Sequence, residues 1–258
     1  MAGYDKIAKH FFERRADKTR FDYNRDIEVP AMIKMVGNVK NKIILDLGCG
    51  FGDHSKKLSQ KGAQKIIAFD LSKELVKFAN NQKIPNCKFE VGDMDRKLKY
   101  KNNYFDLVIS GLALHYVKNV NQLFSEVNRV LKKGGMFIIS TGHPIFDLIN
   151  ESLDNSSEAK IAIKRVGNKR IIEGDYFDES KKLADLGSIG KIKTYSYTFE
   201  TFLKLGLNNG FELIDYLDAK PVPSSKKYDS EKYKLTTTLP TFILFKWNKS
   251  RRNRFTYL

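Results

Sequence analysis

The stretch that decides the fold is Leu45-Asp46-Leu47-Gly48-Cys49-Gly50-Phe51-Gly52. It ends a short apolar run, Lys42 to Leu47 (KIILDL), and leads into Asp53 to Lys61 (DHSKKLSQK), which reads as a helix. A strand, a glycine cluster and a helix in that order are the setting of a nucleotide-binding loop. Glycine permits the tight turn and a close approach of backbone to ligand, and the helix start offers unpaired N–H groups. A dinucleotide fingerprint reads G-x-G-x-x-G. Here the third glycine comes one residue early, and Asp53 stands where that fingerprint has glycine. No Gly-Lys-Ser/Thr follows, which excludes a Walker-type loop. Asp46 would repel a pyrophosphate and would welcome a ligand with a cationic amino-acid end.

Working outward, the pattern repeats. Lys65 to Phe69 (KIIAF), Cys87 to Val91, Phe105 to Ser110 (FDLVIS) and Met136 to Ser140 (MFIIS) read as further strands. Helices fall between them. Ser72 is an N-cap for Ser72 to Gln82, and Asn119 to Leu131 puts Val120, Leu123, Phe124, Val127, Val130 and Leu131 on one face. Strands that alternate with helices imply βαβ crossovers and a parallel sheet, and near-continuous apolar strands imply cover on both faces. Phe211 to Leu217 and Thr241 to Trp247 read as two closing strands, after a helix from Thr198 to Asn209. The fold class expected is α/β: a Rossmann-like, doubly wound, mostly parallel seven-stranded sheet with an inserted lid or cap region.

The domain reading follows. Residues 41–143 and 194–248 form the core. Residues 1–40 form an N-terminal helical segment over the cofactor site, and 249–258 a basic tail. Residues 144–193 break the rhythm, with a polar helical segment, Ile149 to Ile163, and turn-rich sequence around Gly167, Gly174, Gly187 and Gly190. Such an interruption is expected to be a substrate lid. Lys220 to Leu239, rich in Pro, Ser and Lys, is expected to be a surface loop.

Two carboxylates follow strand ends. Asp70 lies about 20 residues past the glycines, where a carboxylate can accept both ribose hydroxyls. In Gly92-Asp93-Met94, Asp93 can accept from an adenine amino group while Met94 packs on the ring. Asp46, Asp70 and Asp93 thus close three successive strands and line the crevice where such sheets bind ligands.

At this point the sequence resembles the class I S-adenosylmethionine (SAM)-dependent methyltransferases, in their small-molecule, ubiquinone-methylase-like branch. The residues that carry the resemblance are Ile44–Gly52, Phe69-Asp70-Leu71-Ser72, Gly92-Asp93-Met94, Phe105-Asp106-Leu107-Val108 and Val127 through Gly135 (VNRVLKKGG). Upstream, Phe21 to Pro30 is similar to a Tyr-Asn…Glu-x-Pro segment found in one set of these enzymes. The resemblance implies SAM as cofactor and S-adenosylhomocysteine as product. It places Gly48 and Gly50 at the methionine portion, Asp70 at the ribose, and Asp93 and Met94 at the adenine, with Cys49 and Leu71 also among the cofactor-binding residues. It also assigns the Ser110 carbonyl to the SAM ammonium. Tyr23 is either at the methionine end or a packing aromatic.

Strand four leads into Ser110-Gly111-Leu112-Ala113-Leu114-His115-Tyr116. No Asn/Asp-Pro-Pro-Tyr motif of amino-methylating nucleic-acid enzymes stands there. Nor is there a Pro-Cys nucleophile, because Cys49 lies in the glycine loop and Cys87 starts a strand. An O, N or C atom of a small-molecule acceptor remains, methylated by in-line displacement. SAM carries its own leaving group, and alignment alone can be worth ~7–11 kcal/mol. A base is needed only if the acceptor must lose a proton early. His115 and His143 are the candidates, against the readings of a wall residue and a turn-fixing hydrogen bond. Tyr176, Phe177, Tyr195 and Tyr197 suit an aromatic acceptor or plain core. Lys164, Arg165, Lys169 and Arg170 suit an anionic acceptor or a solvated face.

The whole chain sets the limits. Its 258 residues carry 46 Lys and Arg against 30 Asp and Glu, a formal charge of +16. That balance favours anionic partners, though the lysines are spread along the chain. Two cysteines with no C-x-x-C pair and four scattered histidines give no metal spacing, so no metal is expected. No signal-like start and no apolar stretch near the ~18 residues of a membrane span are present, so a cytoplasmic monomer or homodimer is expected. Two further readings stay open: an RNA-modifying methyltransferase using the basic surface, and a SAM-binding protein without catalysis. A nicotinamide oxidoreductase is disfavoured by the glycine spacing and Asp53.

Overall fold

A computed structural model describes residues 8, 12, 15, 17–149, 161–179, 181–185, 191–195 and 197–250. A π-helical turn, Asn24–Glu28, runs into α1 (Val29–Val36). Pro30 sits in the first turn of α1, where a missing N–H costs nothing. Then follow β1 (Ile43–Leu47), α2 (Asp53–Gln60), β2 (Lys65–Asp70), α3 (Lys73–Asn81), β3 (Cys87–Val91) and β4 (Phe105–Gly111). After a 3-10 turn at Leu114–Tyr116 come α4 (Val120–Val130), β5 (Leu131–Gly142) and α5 (Pro144–Ile149). The second half holds β6 (Ile161–Val166), β7 (Lys169–Gly174), β8 (Lys181–Asp185), β9 (Lys191–Tyr195), α6 (Phe199–Asn208), β10 (Phe211–Asp218), α7 (Ser230–Thr238) and β11 (Phe242–Lys249).

Seven strands form one sheet in the order β10-β11-β5-β4-β1-β2-β3. All neighbours from β5 to β3 are parallel; β11 runs antiparallel to both β5 and β10. Chain order reverses between β1 and β4, and the crevice at such a switch point is where doubly wound sheets take ligands. This is the expected seven-stranded, Rossmann-like sheet.

Local chemistry sets the elements. The Ser72 hydroxyl accepts from Leu75 N–H and starts α3, and the Asn119 side chain accepts from Gln122 N–H and starts α4. α4 buries Val120, Leu123, Phe124, Val127 and Val130 against one face of the sheet. Each such side chain contributes about 1.5–3 kcal/mol. The other face is covered by α1, α2 and α3 through Met32, Met35, Leu58, Val76 and Ala79. Trp247 of β11 is fully buried, and a methyl group on Gly206 of α6 would lie 2.5 Å from its ring.

Four expectations are corrected. Ile161–Ile163, expected in a helix, start β6, and α5 ends at Ile149; residues 150–160 lie outside the described residues. The turn-rich stretch instead forms two antiparallel hairpins, β6–β7 and β8–β9, separate from the main sheet. Lys220 to Leu239 is not a plain loop. It holds a 3-10 turn, Pro223–Lys227, and α7, started by Asp229 accepting from Lys232 N–H. Lys249, assigned to the basic tail, ends β11, and its ammonium donates to Asn103 Oδ1 and to the carbonyls of Asn128 and Leu131. Residues 251–258 lie outside the described residues.

Candidate active site

The glycine loop is stitched to the strand beside it. The N–H groups of Gly48 and Cys49 both donate to the Phe69 carbonyl, at 2.9 and 3.0 Å. Gly48 has φ +67°, and a methyl group there would lie 2.4 Å from the Ala113 β-carbon and 3.3 Å from the Met94 methyl. The loop, Met94 and the turn after β4 therefore meet at Gly48. At Gly50, φ is +53° and a methyl group would meet nothing within 4 Å. The space over Gly50 is open, as a ligand-bearing loop needs.

Asp70 fastens the same loop. One carboxylate oxygen accepts from Gly50 N–H and the other from Ser72 N–H, both at 2.9 Å. A carboxylate has about four acceptor sites, the chemistry by which such a group can also take hydroxyl donors. Leu71 beside it is half exposed. Asp93 accepts from Asp95 N–H at 2.9 Å and lies 3.5 Å from Arg96. Ser110 is buried and its hydroxyl donates to the Leu47 carbonyl at 3.2 Å. Cys49 is buried, and burial pushes its thiol well above the ordinary range.

Beneath the loop lies a buried polar network. Asp46 Oδ2 accepts from the Ser55 hydroxyl at 2.7 Å, while Asp46 Oδ1 is buried without a hydrogen-bond partner. Burial raises the Asp46 pKa, with His54 and Ser55 acting against it. A buried carboxylate oxygen left unpaired is costly unless a donor arrives. Glu28 is wholly buried. Its Oε2 lies 2.8 Å from His54 Nε2, and its Oε1 accepts from the Ser140 hydroxyl at 2.6 Å. Burial works against charge on both partners, but their mutual attraction overcomes it. Glu28 is lowered, and His54 is pushed up to about 9.

Glu28 and His54 escaped the sequence reading. Glu28 stood in the segment quoted for the resemblance, and His54 directly after the glycine loop. Nothing in one sequence signals that residues 26 apart face each other.

The N-terminal segment touches the loop as well. Phe12 stacks on Phe78 and tilts against Phe51, Ala8 packs on the same aromatic cluster, and Arg15 pairs with Asp53. Tyr23 sits edge-on between Phe21 and Phe242. The chain around it is fastened from outside, where Arg25 lies 4.7 Å over the Tyr228 ring and Val222 N–H donates to the Asp26 carbonyl.

The two candidate bases differ. His115 lies in the 3-10 turn after β4 against Tyr116, and burial pushes it down to about 4. His143, at the end of β5, has both ring nitrogens engaged. Nδ1 accepts from Ile145 N–H at 3.1 Å, and Nε2 faces Asp218 at 3.2 Å. Its pKa is lowered by burial, with Asp218 opposing. Nearby, the Tyr176 hydroxyl accepts from Phe199 N–H and Glu179 from Thr198 N–H, so the segment after β7 caps α6. Tyr197 donates to the Val117 carbonyl. Phe177 is exposed. Among the described residues no group of His, Cys, Asp or Glu is placed to hold a metal ion, and no helix is long and apolar enough to cross a membrane.

Residues 45–139 match the sequence profile of the methyltransferase domain. An S-adenosylmethionine dependent methyltransferase from Mesorhizobium loti, solved by crystallography, superposes with a TM-score of 0.69 at 28% identity. The match covers 85% of this chain and 96% of that one. The malonyl-[acyl-carrier protein] O-methyltransferase of Buchnera aphidicola is 35% identical over 55% of this chain and 56% of its own length. The demethylmenaquinone methyltransferase of Leptospira interrogans is 30% identical over 52% and 57%. The chain thus spans little more than half the length of these curated relatives. The matched domain and the similar solved structure imply SAM as the cofactor.

Proposed function

We propose, on the premise that the core of this chain is a SAM-dependent methyltransferase domain, that it moves the SAM methyl group to an O, N or C atom of a small-molecule acceptor. The observation that carries this reading is the buried, unpartnered Asp46 Oδ1 beneath a loop with open space over Gly50. An ammonium donor satisfies that oxygen; a pyrophosphate would be repelled by it.

SAM supplies a methyl group on a sulfonium that is its own leaving group. The chain's residues bind and orient. Asp46, Gly48, Cys49, Gly50 and Ser110 hold the methionine end, with Tyr23 beside it. Asp70 and Leu71 hold the ribose, and Asp93 and Met94 the adenine. Residues 1–40 cover the cofactor, a role supported by Phe12 and Arg15 against Phe51 and Asp53. Residues 144–193 act as the acceptor-side lid on the core of 41–143 and 194–248. The acceptor class is supported by the similarity to a demethylmenaquinone methyltransferase and to a malonyl-[acyl-carrier protein] O-methyltransferase, the latter acting on an acyl group held by a carrier protein.

His115, neutral at pH 7, is a weak proton acceptor. It suits an acceptor that needs little deprotonation, so that alignment supplies most of the rate. His143 contributes by holding the turn after β5.

The test is a calorimetric titration of SAM and S-adenosylhomocysteine into the purified protein, with Asp70→Ala and NADH as controls. Binding of both adenosyl compounds, lost in Asp70→Ala, is expected. Preference for NADH, or no binding, overturns the reading.

A further inference from the structure

Three elements that border the crevice converge on one carboxylate. Glu28 ends the π-helical turn of the N-terminal segment. Through Oε2 it holds His54, the second residue of α2, directly after the glycine loop. Through Oε1 it accepts from Ser140 of β5. Ser140 in turn accepts Leu112 N–H twice, at its hydroxyl and at its carbonyl, each at 3.1 Å.

Leu112 needs that hold. Its φ is +51°, a left-handed conformation that a leucine adopts only under constraint. The preceding Gly111 is closed in by the same group: a methyl group there would lie 2.3 Å from His54 Cε1 and 3.1 Å from Glu28 Oε1. The turn continues to Ala113, against Gly48, and to His115. The loop beneath the cofactor and the turn beside the acceptor therefore share one fastening point.

We propose that Glu28 is a positioning residue that couples the glycine loop, through His54, to the Leu112–His115 turn, through Ser140. Cofactor bound at the loop then sets the backbone on which the acceptor is aligned. The inference rests on the SAM reading above and deepens it. Glu28 is wholly buried and acts through the residues it holds.

The experiment compares the full-length protein with Glu28→Gln and Ser140→Ala by SAM calorimetry, by amide hydrogen exchange with and without SAM, and by NMR of the His54 ring protons. In the unaltered protein SAM slows exchange at both 48–56 and 111–117. Glu28→Gln binds SAM about tenfold more weakly, because a charged hydrogen-bond partner of His54 is lost, and SAM no longer slows exchange at 111–117. Ser140→Ala loses less affinity but the same protection at 111–117. His54 stays protonated through neutral pH in the unaltered protein and titrates below neutral in Glu28→Gln, a change that simple loosening of the fold would not produce. Unchanged affinity and intact protection at 111–117 in Glu28→Gln overturn the proposal. If that variant does not fold, Ser140→Ala decides by the same protection. If the unaltered protein binds no SAM, the cofactor reading fails. The coupling is then judged without ligand: faster exchange at 111–117 in Ser140→Ala supports it, and unchanged exchange refutes it.

Discussion

The floor under the glycine loop buries a histidine, the turn after β4 half-buries another, and the two are treated oppositely. His54 has a carboxylate at 2.8 Å and is pushed up to about 9. His115 is governed by burial alone and is pushed down to about 4. Burial costs both charged forms similarly, so the partner decides the sign. The floor holds fixed charge, which suits a cationic ligand end. The turn holds a histidine kept neutral, which suits an uncharged reacting group.

The largest effect is expected where the two regions touch. Gly48→Ala drives a β-carbon into Ala113 from a left-handed backbone. It should cost about 2–4 kcal/mol in urea unfolding and abolish SAM binding. Gly50→Ala, with nothing nearby to strike, should cost only about 1 kcal/mol while weakening SAM at least roughly tenfold. Equal stability losses in the two variants would break the contrast.

Next comes Asp46→Asn. It removes the unpaired buried oxygen's charge, so unfolding stability should hold or rise, while SAM affinity falls by about tenfold or more. Calorimetry beside a thermal melt separates the two.

The pH dependence sharpens the comparison further. The His54 pKa is raised above its unfolded value of 6.5, so its stabilisation is complete below pH 6.5 and is lost as pH rises towards 9. His115 is lowered from the same value, so stability falls as pH drops from 6.5 towards 4, where the unfolded chain takes up the proton. Glu28, also lowered, adds a loss only below about its ordinary 4.5. Stability should peak near pH 6.5, and His115→Phe should make the acid arm shallower and leave the alkaline arm unchanged, the rest of the acid arm coming from His143, whose pKa is also lowered by burial. Urea midpoints across pH 4–9 measure both arms. The smallest effect is expected far from either histidine. Tyr176→Phe, which removes the acceptor of Phe199 N–H, should cost about 0.5–1.5 kcal/mol.

The legibility of these regions in the sequence differs for physical reasons. KIILDL and KIIAF are buried on both faces, and the five buried residues of α4 repeat at helical spacing. Local pattern and global packing agree there. The crevice residues were legible because each closes a strand. α7 was missed because SEKYKLTTT buries only Thr236 and ends in threonines whose hydroxyls bond back to carbonyls three and four residues earlier. Those contacts leave no apolar stripe. The hairpins β6–β7 and β8–β9 pair only within themselves, apart from the main sheet, so no neighbouring strand of the core announces them in the sequence. The Glu28–His54–Ser140 network joins residues up to 112 apart, which periodicity cannot reveal.

The place of β11 has a consequence for synthesis. Phe242 pairs with Gly142, a hundred residues earlier. At translation rates of about 5–20 residues per second, β5 waits roughly 5–20 s for that neighbour. During that interval Phe137 and Ile139, fully buried in the finished sheet, stand on an open strand edge, the kind that recruits foreign strands. The glycine loop is made long before β11, and the β5 edge stays open to misassociation until β11 has been added.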